Sequence, residues 1–257
     1  MSLYAVCSAK ASPGVTTLAT ALAMTWHRPA VIADLDVSGG DLAVRYRDDE
    51  GRPLQPERGL LSLGAAVRRG ADQGGLADHL QRIAAGPEVL VGVARPEQVV
   101  GLGASWQHLA QALATTPDSD VIADCGRVLP TSAALPALVA ARGVLVLARP
   151  SVEELFHLRE RLTGLVQELH ARQSRVRVAV ALVTDERDRS SVGDVQRLLD
   201  AAHLKVTVVG QVAYDPKAAY RLRYSLESPP SKSMLLRSVA ALGESMRELA
   251  TSTPTYA

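Results

Sequence analysis

The segment AVCSAKASPGVTTLATALA, residues 5–23, joins a predicted strand to a predicted helix through a short turn. An apolar run ends at Ser8, and apolar residues recur at helical spacing after Gly14. A strand, turn and helix in this order direct backbone N–H groups and the positive end of the helix at an anion. Gly14 permits a tight turn, and the hydroxyl of Thr16 or Thr17 stands where it can reach a Mg²⁺ ion. The segment therefore predicts a phosphate-binding loop, and a plain strand-to-helix loop is the alternative.

The predicted loop lacks the lysine that usually precedes the metal-binding hydroxyl, because Val15 occupies that position. A charge-assisted contact to a phosphate contributes roughly 1.5–3 kcal/mol. Its loss corresponds to about a ten- to hundredfold weaker affinity. Hydrolysis suffers more than binding, because transition-state charge develops on the same phosphate oxygens. We therefore expect nucleotide binding to tolerate Val15 better than hydrolysis does.

Short Val- and Ile-rich runs alternate with segments of helical period, which is typical of a mainly parallel sheet covered by helices. The predicted strands are Leu3–Ser8, Ala30–Asp34, Glu88–Val93, Val121–Asp124, Gly143–Ala148, Val176–Val183 and Thr207–Val212. The predicted helices are Val15–Trp26, Gly75–Ala84, Ala104–Leu113, Thr131–Ala141, Val152–Arg172, Ser191–Ala202 and Ser233–Ala250. We predict a single three-layer α/β domain with a mainly parallel, twisted sheet over residues 1–250, followed by a flexible tail at 251–257.

The composition favours a protein of the cytoplasm. Lys and Arg total 28 against 27 Asp and Glu, so net charge does not direct the chain to nucleic acid or to a membrane surface. No run of eighteen apolar residues predicts a membrane span. Cys7 and Cys125 lie in apolar runs, which favours buried, reduced thiols over a disulfide.

The loop KASPGVTT, residues 10–17, resembles the variant phosphate loop K-G-G-x-G-K-[ST]-T of the ParA/MinD-like P-loop ATPases. The alignment places Lys10 on the additional lysine of that family, Gly14 on its third glycine, and Thr16 and Thr17 on its pair of hydroxyl residues. The resemblance implies that Lys10 reaches the phosphates of the partner subunit across a nucleotide-bound dimer. The positions that depart from the family pattern are Ala11, Ser12 and Val15.

Two further segments resemble the carboxylate motifs of the same family. PAVIADLDVSGGDLAVRY, residues 29–46, is similar to its D-x-D strand end, which implies that Asp36 contacts the Mg²⁺ shell and the attacking water. DSDVIADCG, residues 118–126, is similar to the Walker B strand, which implies that Asp124 lies at the metal together with Asp36 and the Thr16 hydroxyl. The alternatives are that Asp36 caps a turn and that the second segment is a buried strand with polar ends.

The base side of the implied site is less regular. VVGQVAYDPKAAYR, residues 208–221, is similar to the late G-x-I-P-x-D segment of the family, with Asp215 retained near the base. The adenine-side Asn of the family corresponds to Thr184. The resemblance implies ATP or ADP with Mg²⁺ as cofactors, bound by Lys10, Gly14, Val15 and the residues named above.

An altered phosphate loop is most similar to the TadZ/CpaE-like proteins of this family, which are associated with the assembly of pili and secretion machines. The resemblance implies a homodimeric spatial-organising scaffold, nucleotide-regulated or degenerate in hydrolysis, that positions such a machine with a partner protein. The alternative is a slow Mg²⁺-dependent ATPase, a dimer switch in chromosome or plasmid partitioning or in division-site placement. Val15 and Thr184 favour the scaffold because they weaken the phosphate side and the base side.

Two surface features concern membranes and DNA. Residues 233–250 form an apolar helical stripe with balanced charge, which favours a helix docked on the sheet over a membrane-bound one. Lys217, Arg221 and Arg223 lie close in sequence and leave nonspecific DNA binding open.

Overall fold

A computed structural model describes residues 2–10, 12–70, 75–84, 86–224 and 233–251. Within these residues eight strands form one sheet in the order β3-β4-β2-β5-β1-β6-β7-β8. The strands are β1 Leu3–Ser8, β2 Ala30–Asp34, β3 Gln81–Arg82, β4 Glu88–Leu90, β5 Asp120–Arg127, β6 Gly143–Ala148, β7 Arg177–Thr184 and β8 Thr207–Ala213. All neighbouring pairs are parallel except β3 with β4, which form an antiparallel edge. The predicted fold class is confirmed.

Helices cover both faces of the sheet. They are α1 Val15–Thr25, α2 Leu42–Arg45, α3 Leu60–Arg68, α4 Glu97–Leu102, α5 Ser105–Ala114, α6 Leu135–Ala140, α7 Val152–Ala171, α8 Ser191–Ala201, α9 Pro216–Tyr224 and α10 Met234–Thr251. One apolar cluster joins the sheet to α1, α9 and α10, and the other joins it to α3, α5, α6, α7 and α8.

The central strand β1 shows why the sheet is buried on both sides. Leu3, Ala5 and Cys7 contribute to one apolar cluster, whereas Tyr4 and Val6 contribute to the other. Successive side chains of a strand point to opposite faces, so a strand covered on both faces must be apolar throughout. The continuous apolar run of β1 meets that requirement, and it brings the loop after Ser8 to the middle of one sheet edge.

The C-terminal helix α10 packs against β8 and α1. Its apolar stripe is buried through Leu235, Val239, Leu242 and Met246, as expected for a helix docked on the sheet. Among the described residues, no helix is both long and apolar enough to cross a membrane. Thr251 ends α10, and the rest of the predicted tail, residues 252–257, lies outside the described residues.

The helix predicted at Gly75–Ala84 is wrong. The structure has a short 3-10 turn at Leu76–His79 and then the edge strand β3. Leu76 and Leu80 are buried in one apolar cluster, whereas Ile83 is buried in the other. A single helix would place these residues on one side, so their apolar spacing imitates a helical period without forming a helix.

Candidate functional site

The carboxyl ends of β1, β2 and β5 lie side by side at one edge of the sheet. In the parallel register, Val6 of β1 and Asp34 of β2 both pair with Asp124 of β5. Ligands of open α/β sheets bind outside the carboxyl ends of the strands, where the chain order reverses. The predicted loop and both predicted carboxylate motifs therefore meet at the place where such a fold binds its ligand.

The loop after β1 ends at Gly14, whose φ of 107° and ψ of 36° lie in the left-handed region. Gly14 begins α1, and Leu18 N donates to its carbonyl oxygen at 2.8 Å. Within the described residues no side chain caps this helix, and its first turn holds no acidic residue. The N–H groups of that turn therefore remain available to an anion.

Val15 does not reach into the site. Its side chain is only 7% exposed and packs in the apolar cluster shared with α1 and α10. The Thr16 and Thr17 side chains are half-buried beside it, and Lys10 is exposed. Lys10 forms no ion pair within the described part of the chain. The loop thus offers backbone N–H groups and hydroxyls but no lysine of its own helix.

Asp34 is a buried positioning residue that sequence reasoning did not assign to the site. Its Oδ2 accepts a hydrogen bond from Leu42 N at 3.2 Å, and its Oδ1 accepts one from Asp36 N at 3.3 Å. A Cβ added to Gly40 would lie 2.5 Å from Asp34 Oδ2, and one added to Gly92 would lie 2.9 Å from Asp34 Oδ1. Burial raises the pKa of Asp34 to about 8, and the neighbouring charge of Asp124 acts in the same direction.

Asp36 lies directly against Gly126, the glycine that follows the Walker B-like strand residues. A Cβ added to Gly126 would lie 2.6 Å from Asp36 Oδ1 and closer still to the carboxyl carbon. Gly126 also has a φ of 56°, which L-residues rarely adopt. Asp36 Oδ1 accepts a hydrogen bond from Ser38 N at 2.8 Å, so this residue both caps a turn and faces β5.

Asp124 has a buried carboxylate oxygen that is suited to a ligand. The residue is 1% exposed, and Gly126 N donates to its Oδ1 at 3.0 Å. Its Oδ2 is buried and has no hydrogen-bond partner among the described residues. Burial raises the pKa of Asp124 to about 6, and the nearby Thr16 hydroxyl opposes that shift. A buried acceptor without a partner is costly, so this oxygen is suited to a ligand, a water molecule or a hydrated ion.

These residues fit a Mg²⁺ ion that is shared with phosphate groups. Within the described residues, no cluster of three or more His, Cys, Asp and Glu side chains could hold a metal ion. Mg²⁺ usually keeps several waters and takes one or two carboxylates plus substrate phosphates. The Thr16 hydroxyl and the Asp36 and Asp124 carboxylates provide such a partial set, in which Asp124 Oδ2 can accept from a metal-bound water.

A pocket of about 300 Å³ opens beside the loop. Its walls come from the loop and α1, from the ends of β6, β7 and β8, and from α9. The polar and aromatic residues that line it are Ser12, Thr17, Arg149, Tyr214, Asp215, Tyr220 and Arg223. Sequence reasoning missed Arg149, because the sheet order that places β6 next to β1 is not readable from the chain.

The two base-side residues of the prediction occupy different places. Asp215 lines the pocket, and its Oδ1 accepts a hydrogen bond from Ala218 N at 3.0 Å, which caps α9. Thr184 is buried at the end of β7 and lines a separate groove of about 270 Å³ that also involves Ser238. The structure thus brings Gly14, Thr17 and Asp215 together around one pocket and leaves Thr184 on a neighbouring one.

No family model matches the sequence, and no curated protein matches it. Solved structures do match. A ParA family ATPase from Chlorobium tepidum superposes with a TM-score of 0.72 at 17% identity, covering 95% of this chain and 97% of that chain. The septum site-determining protein MinD from Pyrococcus horikoshii, complexed with Mg-ADP, has a TM-score of 0.69 at 16% identity, covering 97% of both chains. A plasmid partition protein from Borrelia burgdorferi, bound to AMPPNP, has a TM-score of 0.71 at 10% identity, covering 96% of this chain and 98% of that chain.

The eight-stranded, mostly parallel sheet and its flanking helices are therefore the fold of the ParA/MinD ATPases. This confirms the fold that the resemblance implied from the loop and the two carboxylate segments. The likeness extends over nearly the full length of each matched chain.

Proposed function

We propose that the protein is a nucleotide-regulated, ParA/MinD-like spatial-organising protein that binds ATP or ADP with Mg²⁺ and acts as a dimeric scaffold in the cytoplasm. The observation that carries the proposal is the buried Asp124 Oδ2, which lies beside Thr16 and Asp36 at the start of α1 and has no hydrogen-bond partner in the described part of the chain. The Mg-ADP and AMPPNP complexes of proteins with the same fold support it.

The roles of the residues follow from their chemistry. The free N–H groups after Gly14 bind the phosphates, and Thr16, Asp36 and Asp124 hold the ion. When bound, Mg²⁺ neutralises charge on the phosphate oxygens. Asp215 lines the pocket and caps α9, which positions the β8–α9 loop against the base.

Weak or absent hydrolysis is part of the proposal. Val15 is buried in the core, and Lys10 is exposed to solvent. Transition-state stabilisation of phosphoryl transfer depends on cations that contact the transferred group. A chain in which Val15 replaces the lysine before the hydroxyl pair suits a nucleotide-tuned scaffold for a machine such as a pilus or secretion system.

A slow Mg²⁺-dependent ATPase is the second candidate. The observation that favours it is that Asp36 and Asp124 remain together at the site, with Gly126 shaped to admit the Asp36 carboxylate. A carboxylate at this position can orient the attacking water. In this case the exposed Lys10 completes the site of a second copy, and hydrolysis separates the dimer.

Calorimetry with ATP and ADP in the presence of Mg²⁺, followed by a phosphate-release assay, tests the proposal. We expect saturable binding that weakens about tenfold or more in Asp124→Asn, since a charged partner of the ion is lost. Asp194→Asn is the matched control, because Asp194 lies exposed on α8. Turnover that disappears in Asp36→Ala would support the ATPase instead, and no binding at millimolar nucleotide would exclude both.

A further inference from the structure

The pocket beside the phosphate loop has a source of positive charge outside the loop. Its lining includes two arginines, Arg149 and Arg223, and one carboxylate, Asp215. Asp215 is engaged by the N–H of Ala218, so its charge is partly balanced by the start of α9. A nucleotide carries several negative charges, and the loop residues that line the pocket, Ser12, Pro13, Gly14 and Thr17, meet them with neutral N–H and hydroxyl groups only. A cation that lines the pocket would therefore supply the positive charge that an anion site needs.

Arg149 follows β6, the strand that pairs with β1 on the side of the pocket. β6 runs parallel to β1, and Ser8, the last residue of β1, pairs with Leu147. Arg149 follows Leu147 by two residues, so it leaves the sheet beside the residues that lead from β1 to Gly14. Leu147, Arg149 and Gly14 all line the same pocket. The strand order, rather than the sequence order, places this side chain at the loop.

The backbone of Arg149 is held in place by the start of α7. Ser151 caps that helix through a hydrogen bond from Glu154 N at 3.3 Å. The Glu154 carboxylate in turn accepts a hydrogen bond from Arg149 N at 2.9 Å. These two bonds close a reciprocal cap in which both polar ends are satisfied. The loop between β6 and α7 is therefore preorganised, and the guanidinium starts from a defined position at the pocket wall.

The guanidinium itself remains available to a ligand. The Arg149 side chain is 43% exposed, and its Nη1 lies 3.6 Å from Glu154 Oε1. This separation exceeds the usual hydrogen-bond length of about 2.7–2.9 Å for a charged pair. A guanidinium has five N–H donors in a planar fork that matches phosphate oxygens, so one long contact leaves most of them unused.

We infer that Arg149 replaces the absent loop lysine as the phosphate-binding cation of this site. The inference rests on the proposed nucleotide binding and adds to it the residue that supplies the charge. In the structure Arg149 is loosely paired with Glu154, and on nucleotide binding it transfers its donors to the phosphates. Val15 is tolerated because the cation arrives from β6, which leaves the position after Gly14 free to fill the core.

The test compares the affinities of wild type, Arg149→Ala, Arg149→Lys and Arg159→Ala for ATP, ADP, AMP and adenosine with Mg²⁺, measured by calorimetry. Arg159 is the matched control, since it is 45% exposed, is paired with Glu160 on α7, and does not line the pocket. We expect Arg149→Ala to weaken ATP binding by about ten- to a hundredfold. The loss of affinity should be largest for ATP, smaller for ADP and AMP, and absent for adenosine. Arg149→Lys should retain an intermediate affinity.

A lysine restored to the loop gives a second, independent arm. In Val15→Lys/Arg149→Ala the new lysine should recover ATP affinity that Arg149→Ala loses. If wild type binds ATP and Arg149→Ala changes the affinity by less than twofold, the role of Arg149 is overturned, whereas the proposed function stands. An equal loss for ATP and adenosine also overturns it, because the residue then acts on pocket shape. If neither wild type nor Val15→Lys binds any nucleotide, the proposed function itself fails and this inference fails with it.

Discussion

Replacement of Gly126 by alanine should damage the site and the fold through two separable effects. The new Cβ would lie 2.6 Å from Asp36 Oδ1, so the carboxylate must move. The backbone at φ 56° also becomes strained, at a cost of roughly 1–2 kcal/mol for an L-residue in the left-handed region. Displacing Asp36 removes its hydrogen bond from Ser38 N, worth about 1 kcal/mol. The free energy of unfolding should therefore fall by about 2–3 kcal/mol.

Thermal unfolding measures the first part of this prediction. A loss of that size lowers the melting temperature of a chain of this length by about 5–10 °C. Gly51→Ala is the control, because Gly51 has a φ of 76° but no atom within 4 Å of the added Cβ. It should show only the backbone cost of roughly 1–2 kcal/mol.

A double-mutant cycle isolates the contact between Gly126 and Asp36. In an Asp36→Ala background, Gly126→Ala should cost no more than Gly51→Ala does, because the displaced carboxylate is gone. The reasoning is refuted if the cost of Gly126→Ala is the same with and without Asp36, or if it equals the Gly51→Ala cost in the wild-type chain.

Three further predictions concern the described residues. Cys7 and Cys125 are buried free thiols, and burial raises the pKa of Cys7 to about 12 and that of Cys125 well above its usual value, so both should resist a thiol reagent at pH 8 until the protein unfolds; rapid labelling of the native protein would contradict this. In the folded protein the pKa of Asp34 is raised to about 8, above its value in the unfolded chain, so the folded state binds more protons and the free energy of unfolding should fall as pH rises between about 4 and 8. Chemical denaturation at several pH values measures this dependence, and its slope should be shallower in Asp124→Asn. A steeper slope in that variant would refute the coupling between the two carboxyls. Asp215→Ala removes the cap of α9 and should lower stability by about 1 kcal/mol, seen as a lower denaturation midpoint, whereas exposed Asp194→Ala should change it less.

The central strands were predictable because each is a nearly continuous run of apolar residues. Leu3–Ser8, Ala30–Asp34 and Gly143–Ala148 begin and end where the apolar runs do, since both faces of these strands are covered. The helix at Gly75–Ala84 was mispredicted because its apolar residues serve two different clusters. The helix α3, Leu60–Arg68, was missed beside a Pro- and Gly-rich loop.

Site residues were predictable when a motif within one segment of the chain identifies them. They were not predictable when their role depends on residues distant in the sequence. Gly14 and Asp36 lie in the segments that follow β1 and β2, and Asp124 lies within β5, so local pattern and the family resemblance identify them. Arg149 and Gly126 acquire their importance only from neighbours brought by the sheet order. Whether Lys10 and Thr184 bind nucleotide stays a prediction, because the first is exposed and the second lines another groove.

A crystal structure of the protein with Mg²⁺ and a non-hydrolysable ATP analogue tests the central claim most directly. The account predicts phosphates at the start of α1 after Gly14, the ion beside Thr16 and Asp124, and the base in the pocket lined by Asp215. A nucleotide bound elsewhere, or a site that stays empty at millimolar analogue, would contradict it.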